Sequence, residues 1–166
     1  MTRTEPITGI DWQDAFANAD YIPGGDGFPA IWDQRAQAFR AHWPYVEPDI
    51  AYGDAPRERL DLFRPEGLTR GLVVFVHGGY WMRMQKGLWS DLAAGPLAHG
   101  WAVAMPSYTL APDARISQIT GQIGAAITRA AGLVDGPIRL VGHSAGGHLV
   151  TRMICEGGPL AVPVAG

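Results

Sequence analysis

The segment Ile138–Val150, IRLVGHSAGGHLV, passes from an apolar run through a glycine-flanked serine into a second apolar pattern. Ile138–Val141 reads as a buried strand, and "AGGHLVTRMICE", from Ala145, as a helix. Between them Gly142-His143-Ser144-Ala145-Gly146 fits G-x-S-x-G. The pattern is common by itself; its position between a strand and a helix gives it meaning. A turn this sharp forces Ser144 into a strained backbone conformation and lifts its hydroxyl clear of the sheet. Side chains at Gly142 or Gly146 would collide with the neighbouring strand and helix. The helix N-terminus adds amide donors and partial positive charge beside the serine. Ser144 is the candidate nucleophile.

Upstream, "GLVVFV", Gly71–Val76, is a continuous apolar run, as expected of a strand buried on both faces. It is followed directly by His77-Gly78-Gly79-Tyr80-Trp81. Paired glycines at a strand's carboxyl end let the backbone approach a ligand with its amides outward. In a parallel sheet the loops after both strands emerge at one edge, where ligands bind. The amides of Gly78, Gly79 and Ala145 are therefore candidate oxyanion donors. Such donors stabilise the charge that builds on a carbonyl oxygen during acyl transfer. His77 reads as structural, holding the loop by hydrogen bonds. Tyr80 and Trp81 fit either a flat apolar substrate pocket or core packing.

The rest of the chain fills in an alternating pattern. "IAYG" and "RLDLFRP" read as an antiparallel hairpin joined through "DAPRE", with the mixed charges of "PRERLDLFR" on a solvated face. A helix is expected near "GLWSDLAAGPLAHG", then a strand at "WAVAM". Ile116, Ile119, Ile123, Ile127 and Ala130 form an apolar stripe ending at Gly132. Strands alternating with helices predict a mostly parallel sheet flanked by helices, in one domain over residues 1–166. The first 49 residues read as a helical, aromatic-rich segment, with Trp12 and Phe16, then Trp32, Ala36, Phe39 and Trp43, at helical spacing. "DYIPGGDGFP" between them reads as irregular. Its Tyr21 and Phe28 could cover a pocket.

Composition narrows the function classes. The 166 residues are 47% hydrophobic and 17% charged, a globular balance with a net charge of −3 that argues against nucleic acid. Cys155 is the only cysteine, which suits a reducing compartment, and it reads as a buried apolar filler. The start, "MTRTEPITGIDW", lacks a signal-peptide core, and no run reaches the roughly 18 apolar residues of a membrane span. These features predict a cytoplasmic protein without a membrane partner.

With HGGYW, "SYTLAP" (Ser107–Pro112) and "GHSAGGHL" (Gly142–Leu149), the chain resembles the α/β-hydrolase superfamily, in its esterase and arylformamidase branch. "YGDAPRERLDLFRPEG", Tyr52–Gly67, is similar to the hairpin leading into that fold. The resemblance implies a serine hydrolase acting on a carboxylic ester or N-formyl amide of a small, aromatic substrate. Ser144 would form an acyl-enzyme that water releases. It implies no metal and no organic cofactor.

The chain departs from that family in one respect. The family order is Ser, then Asp or Glu, then His. After Ser144 stand only His148 and Glu156, both on the helix that begins at the serine. His42 and His99 precede it, and using either would break the order. The resemblance implies about three further strands, so the chain reads as the N-terminal portion of a hydrolase, with its triad Asp and His beyond Gly166. The serine-bearing strand would then be an unpaired edge. A domain that kept the hydrolase core but lost its base, and binds without catalysis, is the alternative.

Overall fold

The computed structural model describes residues 9–160 and 162–164. Residues 1–8, which hold most of "MTRTEPITGIDW", and part of "AVPVAG" lie outside them. Five strands form one sheet: β1 (Val46–Ala51), β2 (Arg59–Phe63), β3 (Leu72–Val76), β4 (Ala102–Pro106) and β5 (Ile138–Gly142), in the order β1-β2-β4-β3-β5. β3 pairs in parallel with β4 and β5, while β2 is antiparallel to both β1 and β4. Only β2 therefore runs against the other strands. This is the sheet of an α/β-hydrolase fold, with its entering hairpin on one side.

Each strand's alternation divides the core in two. Leu72, Val74 and Val76 of β3 face a cluster completed by α4 (Ile116–Ala131) and α5 (Ala145–Ile154). Val73 and Phe75 face the other way, onto Trp89 and the aromatic side of α2 (Phe28–His42). The predicted isoleucine stripe is the buried face of α4: Ile119, Ile123 and Ile127 are fully covered. Burying each is worth roughly 1.5–3 kcal/mol relative to exposure. The helix stops at Gly132, as its sequence predicts.

Some expectations are corrected. Residues Lys86–Ala93 form a 3₁₀ helix, and only Ala94–Ala98 (α3) is α-helical; both pack on the α2 side. "DYIPGGDGFP" is not wholly irregular. It holds two short 3₁₀ turns, and its Phe28 and Pro29 open α2, because proline's fixed φ suits a helix's first turn. The aromatics of α2 pack on the sheet, whereas Trp12 of α1 (Trp12–Ala15) stacks on Phe16 and both are exposed. Tyr21 is 68% exposed, and its hydroxyl donates to Asp14. Cys155 is exposed, its thiol donating to the Thr151 carbonyl, because it follows the last turn of α5.

The two edge strands are unlike. β1 carries Pro48, charged residues and a register irregularity between Glu47 and Ile50, devices that discourage further pairing. β5 pairs only with β3 among the described residues and leaves Val141 45% exposed. Beyond α5 the chain forms no further strand among the described residues, and Leu160, Val162 and Val164 pack onto the core.

Candidate active site

Register brings the two glycine-rich loops together. Val76, the last residue of β3, lies opposite Gly142, the last residue of β5. The His143 amide then donates to the Val76 carbonyl at 3.1 Å, so the two turns begin level. Ser144 has φ 53° and ψ −119°, a conformation that L residues rarely adopt. The strain predicted for a serine on so tight a turn is present, and Ser144 is exposed at the N-terminus of α5.

Close packing forces the turn. A β-carbon at Gly146 would lie 2.0 Å from the Val76 carbonyl oxygen, and one at Gly142 would lie 2.3 Å from that of Gly146. The approach of the second loop is just as tight. A β-carbon at Gly78 would come within 2.8 Å of Ser144 Cβ and 2.7 Å of the His143 carbonyl oxygen. Gly78 and Ser144 are therefore in direct backbone proximity. Gly79 turns the chain at φ 107°, and its carbonyl accepts from the amides of Met82 and Arg83, each at 2.9 Å. The amides of Gly78, Gly79 and Ala145 donate to no acceptor among the described residues.

His77 is buried and stacks on Tyr108 with ring centroids 4.4 Å apart. Its Nδ1 lies 2.7 Å from the Gly78 carbonyl oxygen, and the Tyr108 hydroxyl donates to the His77 carbonyl at 3.0 Å. Burial pulls the imidazole pKa down to about 4 and pushes the Tyr108 phenol up to about 12. Both side chains are thus neutral near pH 7, and the pair anchors the loop. Arg57 continues this anchor by donating to the carbonyls of Tyr108 and Met84, both at 2.7 Å.

Around the serine, His143 packs its ring on Trp89, with centroids 4.9 Å apart. His148 stands edge-on to Trp81 at 5.4 Å. Neither imidazole hydrogen-bonds the Ser144 hydroxyl, which has no partner among the described residues. Tyr80 and Trp81 are half-buried and both adopt positive φ. The Tyr80 hydroxyl donates to the Phe16 carbonyl at 2.8 Å, tying the loop to the N-terminal segment. The Trp81 side chain packs on the α4 and α5 core, and its indole N–H is buried without a partner among the described residues. No group of three or more His, Cys, Asp or Glu side chains among the described residues could hold a metal ion.

The sequence reading missed a second polar centre. The mixed charges of "PRERLDLFR" predict a solvated strand face for Asp61, yet it is fully buried. It accepts from Arg40, from Lys86 Nζ at 2.6 Å and from the Asp49 amide at 2.9 Å. Lys86 also bonds Asp49 at 2.7 Å, which holds that carboxyl below its ordinary range. Beside this centre lies a cavity of about 370 Å³ that Ser144 does not line.

A strained serine between a parallel strand and a helix is the turn that G-x-S-x-G describes in α/β-hydrolases. Comparison with known proteins shows that family. The family model BD-FAE matches residues 60–156, and the chain belongs to this family of esterase and arylformamidase-like α/β-hydrolases. A kynurenine formamidase of Danio rerio is 31% identical over 112 residues, covering 64% of this chain and 38% of the relative. An isoprenylcysteine alpha-carbonyl methylesterase of Arabidopsis thaliana is 36% identical over 121 residues, covering 67% of this chain and 28% of the relative. Among solved structures, a candidate thioesterase of Silicibacter sp. superposes with a TM-score of 0.88 at 51% identity, over 92% of this chain and 58% of the other. The chain spans well under half the length of these two curated relatives. No helix among the described residues is long and apolar enough to cross a membrane.

Proposed function

We propose that this chain carries the nucleophile and the oxyanion donors of a serine hydrolase for a carboxylic ester or an N-formyl amide. Ser144 attacks the carbonyl carbon and loses its proton to a base. The amides of Gly78, Gly79 and Ala145 hold the resulting oxyanion; its collapse breaks the C–O or C–N bond, the departing alcohol or amine takes up that proton, and water then releases the acyl group from Ser144. One observation carries the reading. Ser144 is strained and exposed at the N-terminus of α5, beside three amides that have no acceptor among the described residues. The relatives support the bond class, since their names give a formamide and a methyl ester as substrates. Tyr80, half-buried next to the glycines, favours a small aromatic substrate, whereas Trp81 is taken up by core packing.

The direct test is a serine-directed fluorophosphonate, read by intact mass and peptide mapping. One adduct on Ser144, absent from Ser144→Ala, is the expected result. No adduct on the folded protein would overturn it. Within the hydrolases, turnover of N-formylkynurenine is compared with that of a p-nitrophenyl ester. A clear preference for the simple ester would make the protein a short-chain carboxylesterase.

The second reading is a binding domain that keeps the hydrolase core without its chemistry. It is favoured by the lack of any imidazole bonded to Ser144 among the described residues. In that case Ser144→Ala leaves ligand affinity unchanged, and no substrate is turned over by the parent protein.

A further inference from the structure

We propose that the cavity between α2, the β1–β2 hairpin and the Lys86 helix binds a small oxyanion, a carboxylate or phosphate group, on the guanidinium groups of Arg57 and Arg59. The cavity has a volume of about 370 Å³, within the range of small-molecule sites. It lies at the same sheet edge as the Ser144 turn, because Leu60 of β2 pairs with Pro106 at the end of β4. Its ionic lining is unequal: Arg40, Arg57, Arg59 and Lys86 face only Asp49 and Asp61.

The distribution of partners shows which charges remain. Both carboxylates are taken, Asp61 by Arg40 and Lys86 and Asp49 by Lys86. Arg57 and Arg59 form no ion pair with a carboxylate among the described residues. Arg57 donates through Nε and Nη2 to the carbonyls of Tyr108 and Met84. Arg59 directs Nη1 to the carbonyls of Gly53, Ala55 and Glu58. A guanidinium carries five N–H donors in a planar fork, so both arginines retain donors beyond these contacts. The carbonyls fix the two side chains in place without neutralising them.

Two half-buried cations in the lining of one cavity, already fixed by backbone carbonyls, favour an anion because little ordering is needed on binding. The fork geometry matches the paired oxygens of a carboxylate or phosphate. A cation would meet the excess positive charge, and a neutral ligand would leave it uncompensated. This inference does not rest on the hydrolase reading, since Ser144 is outside the cavity and the tests read binding alone.

The test is calorimetric titration of the protein with inorganic phosphate and with acetate, at fixed ionic strength against a chloride control. Saturable binding of either anion is expected, and the tighter one identifies the natural group as phosphate or carboxylate. Arg59→Gln weakens that binding roughly tenfold or more, the effect of losing a charge-assisted hydrogen bond. No saturable binding, equal displacement by chloride, or unchanged affinity in a folded Arg59→Gln would each overturn the site. Arg57→Gln also removes loop contacts and need not fold, so the unmodified protein provides the second measurement. Phosphate or acetate slows phenylglyoxal modification of Arg57 and Arg59, mapped by mass spectrometry, but not that of the exposed Arg35. Equal slowing at all three arginines would overturn the proposal.

Discussion

Asp61 and Ser144 lie at the same end of one sheet and are surrounded in opposite ways. Asp61 is fully buried, with both carboxylate oxygens accepting from Arg40, Lys86 and the Asp49 amide. Ser144 is exposed, and its hydroxyl has no partner among the described residues. The first group is closed by the fold, and its partners specify how α2 and the Lys86 helix sit on β2. The second is strained by its neighbours and open toward solvent. The satisfied Asp61 carboxylate builds the scaffold here, and the Ser144 hydroxyl is left open to solvent.

The largest test of this contrast is Asp61→Ala. It leaves Arg40 and Lys86 beside a buried, uncompensated space, and breaking such a pair costs about 3–5 kcal/mol. Urea unfolding followed by circular dichroism measures it. A loss below about 1 kcal/mol would mean that the cluster contributes no more than a surface ion pair. His77 gives the next effect, through pH. Its folded pKa, about 4, lies below the unfolded value of 6.5, so the unfolded chain binds more protons between them. Its contribution is complete above pH 6.5 and is lost as pH falls toward 4, on the order of 3 kcal/mol at the limit. Stability measured across that window should fall with acid, and His77→Gln should flatten the slope. An unchanged slope would place the proton uptake elsewhere.

Gly146→Ala is smaller and local. The added methyl meets the Val76 carbonyl at 2.0 Å, against backbone that has little room to yield. Overpacking of this kind costs about 1–3 kcal/mol. Gly147→Ala is the control. Its methyl finds 3.6 Å to the nearest atom outside its own helix, so alanine there stabilises α5 by up to about 1 kcal/mol. Opposite signs at adjacent glycines would confirm that the turn, not the helix, requires Gly146.

Much of the architecture was legible because it rests on local patterns. Gly71–Val76 and Ile138–Val141 are short apolar runs between breakers, and the isoleucine stripe of α4 has one period and one stop. The geometry of the serine turn was legible too, since two glycines flanking a serine between strand and helix leave few backbone solutions. Asp61 was not. In "PRERLDLFR" charge alternates with leucine as it would on an amphipathic edge strand, and what buries the carboxylate comes from Arg40 and Lys86, 21 and 25 residues away. The 3₁₀ geometry of Lys86–Ala93 was hidden too. Trp89 and Ala93 have helical spacing, which does not distinguish 3₁₀ from α winding, and both pack against α2 and the sheet. Cys155 misled in the other direction, because composition favours burial and the end of α5 decides otherwise.

The finest test acts on Ser144 itself. At φ 53° and ψ −119° a serine stores roughly 1–3 kcal/mol of backbone strain, whereas glycine reaches this region freely. Glycine also raises the entropy of the unfolded chain, which offsets about 0.4–1 kcal/mol of the relief. Ser144→Gly should therefore stabilise the protein by about 1 kcal/mol, while Ser144→Ala, which keeps the strain, should stay within about 0.5 kcal/mol of the parent. Both variants should lose the fluorophosphonate adduct. Urea midpoints with unchanged m-values separate the two cases. If Ser144→Gly proved less stable than Ser144→Ala, the strain would not be held at this residue. The contrast with Asp61 would then reduce to exposure alone, because a serine resting in an unstrained turn costs the fold nothing to keep.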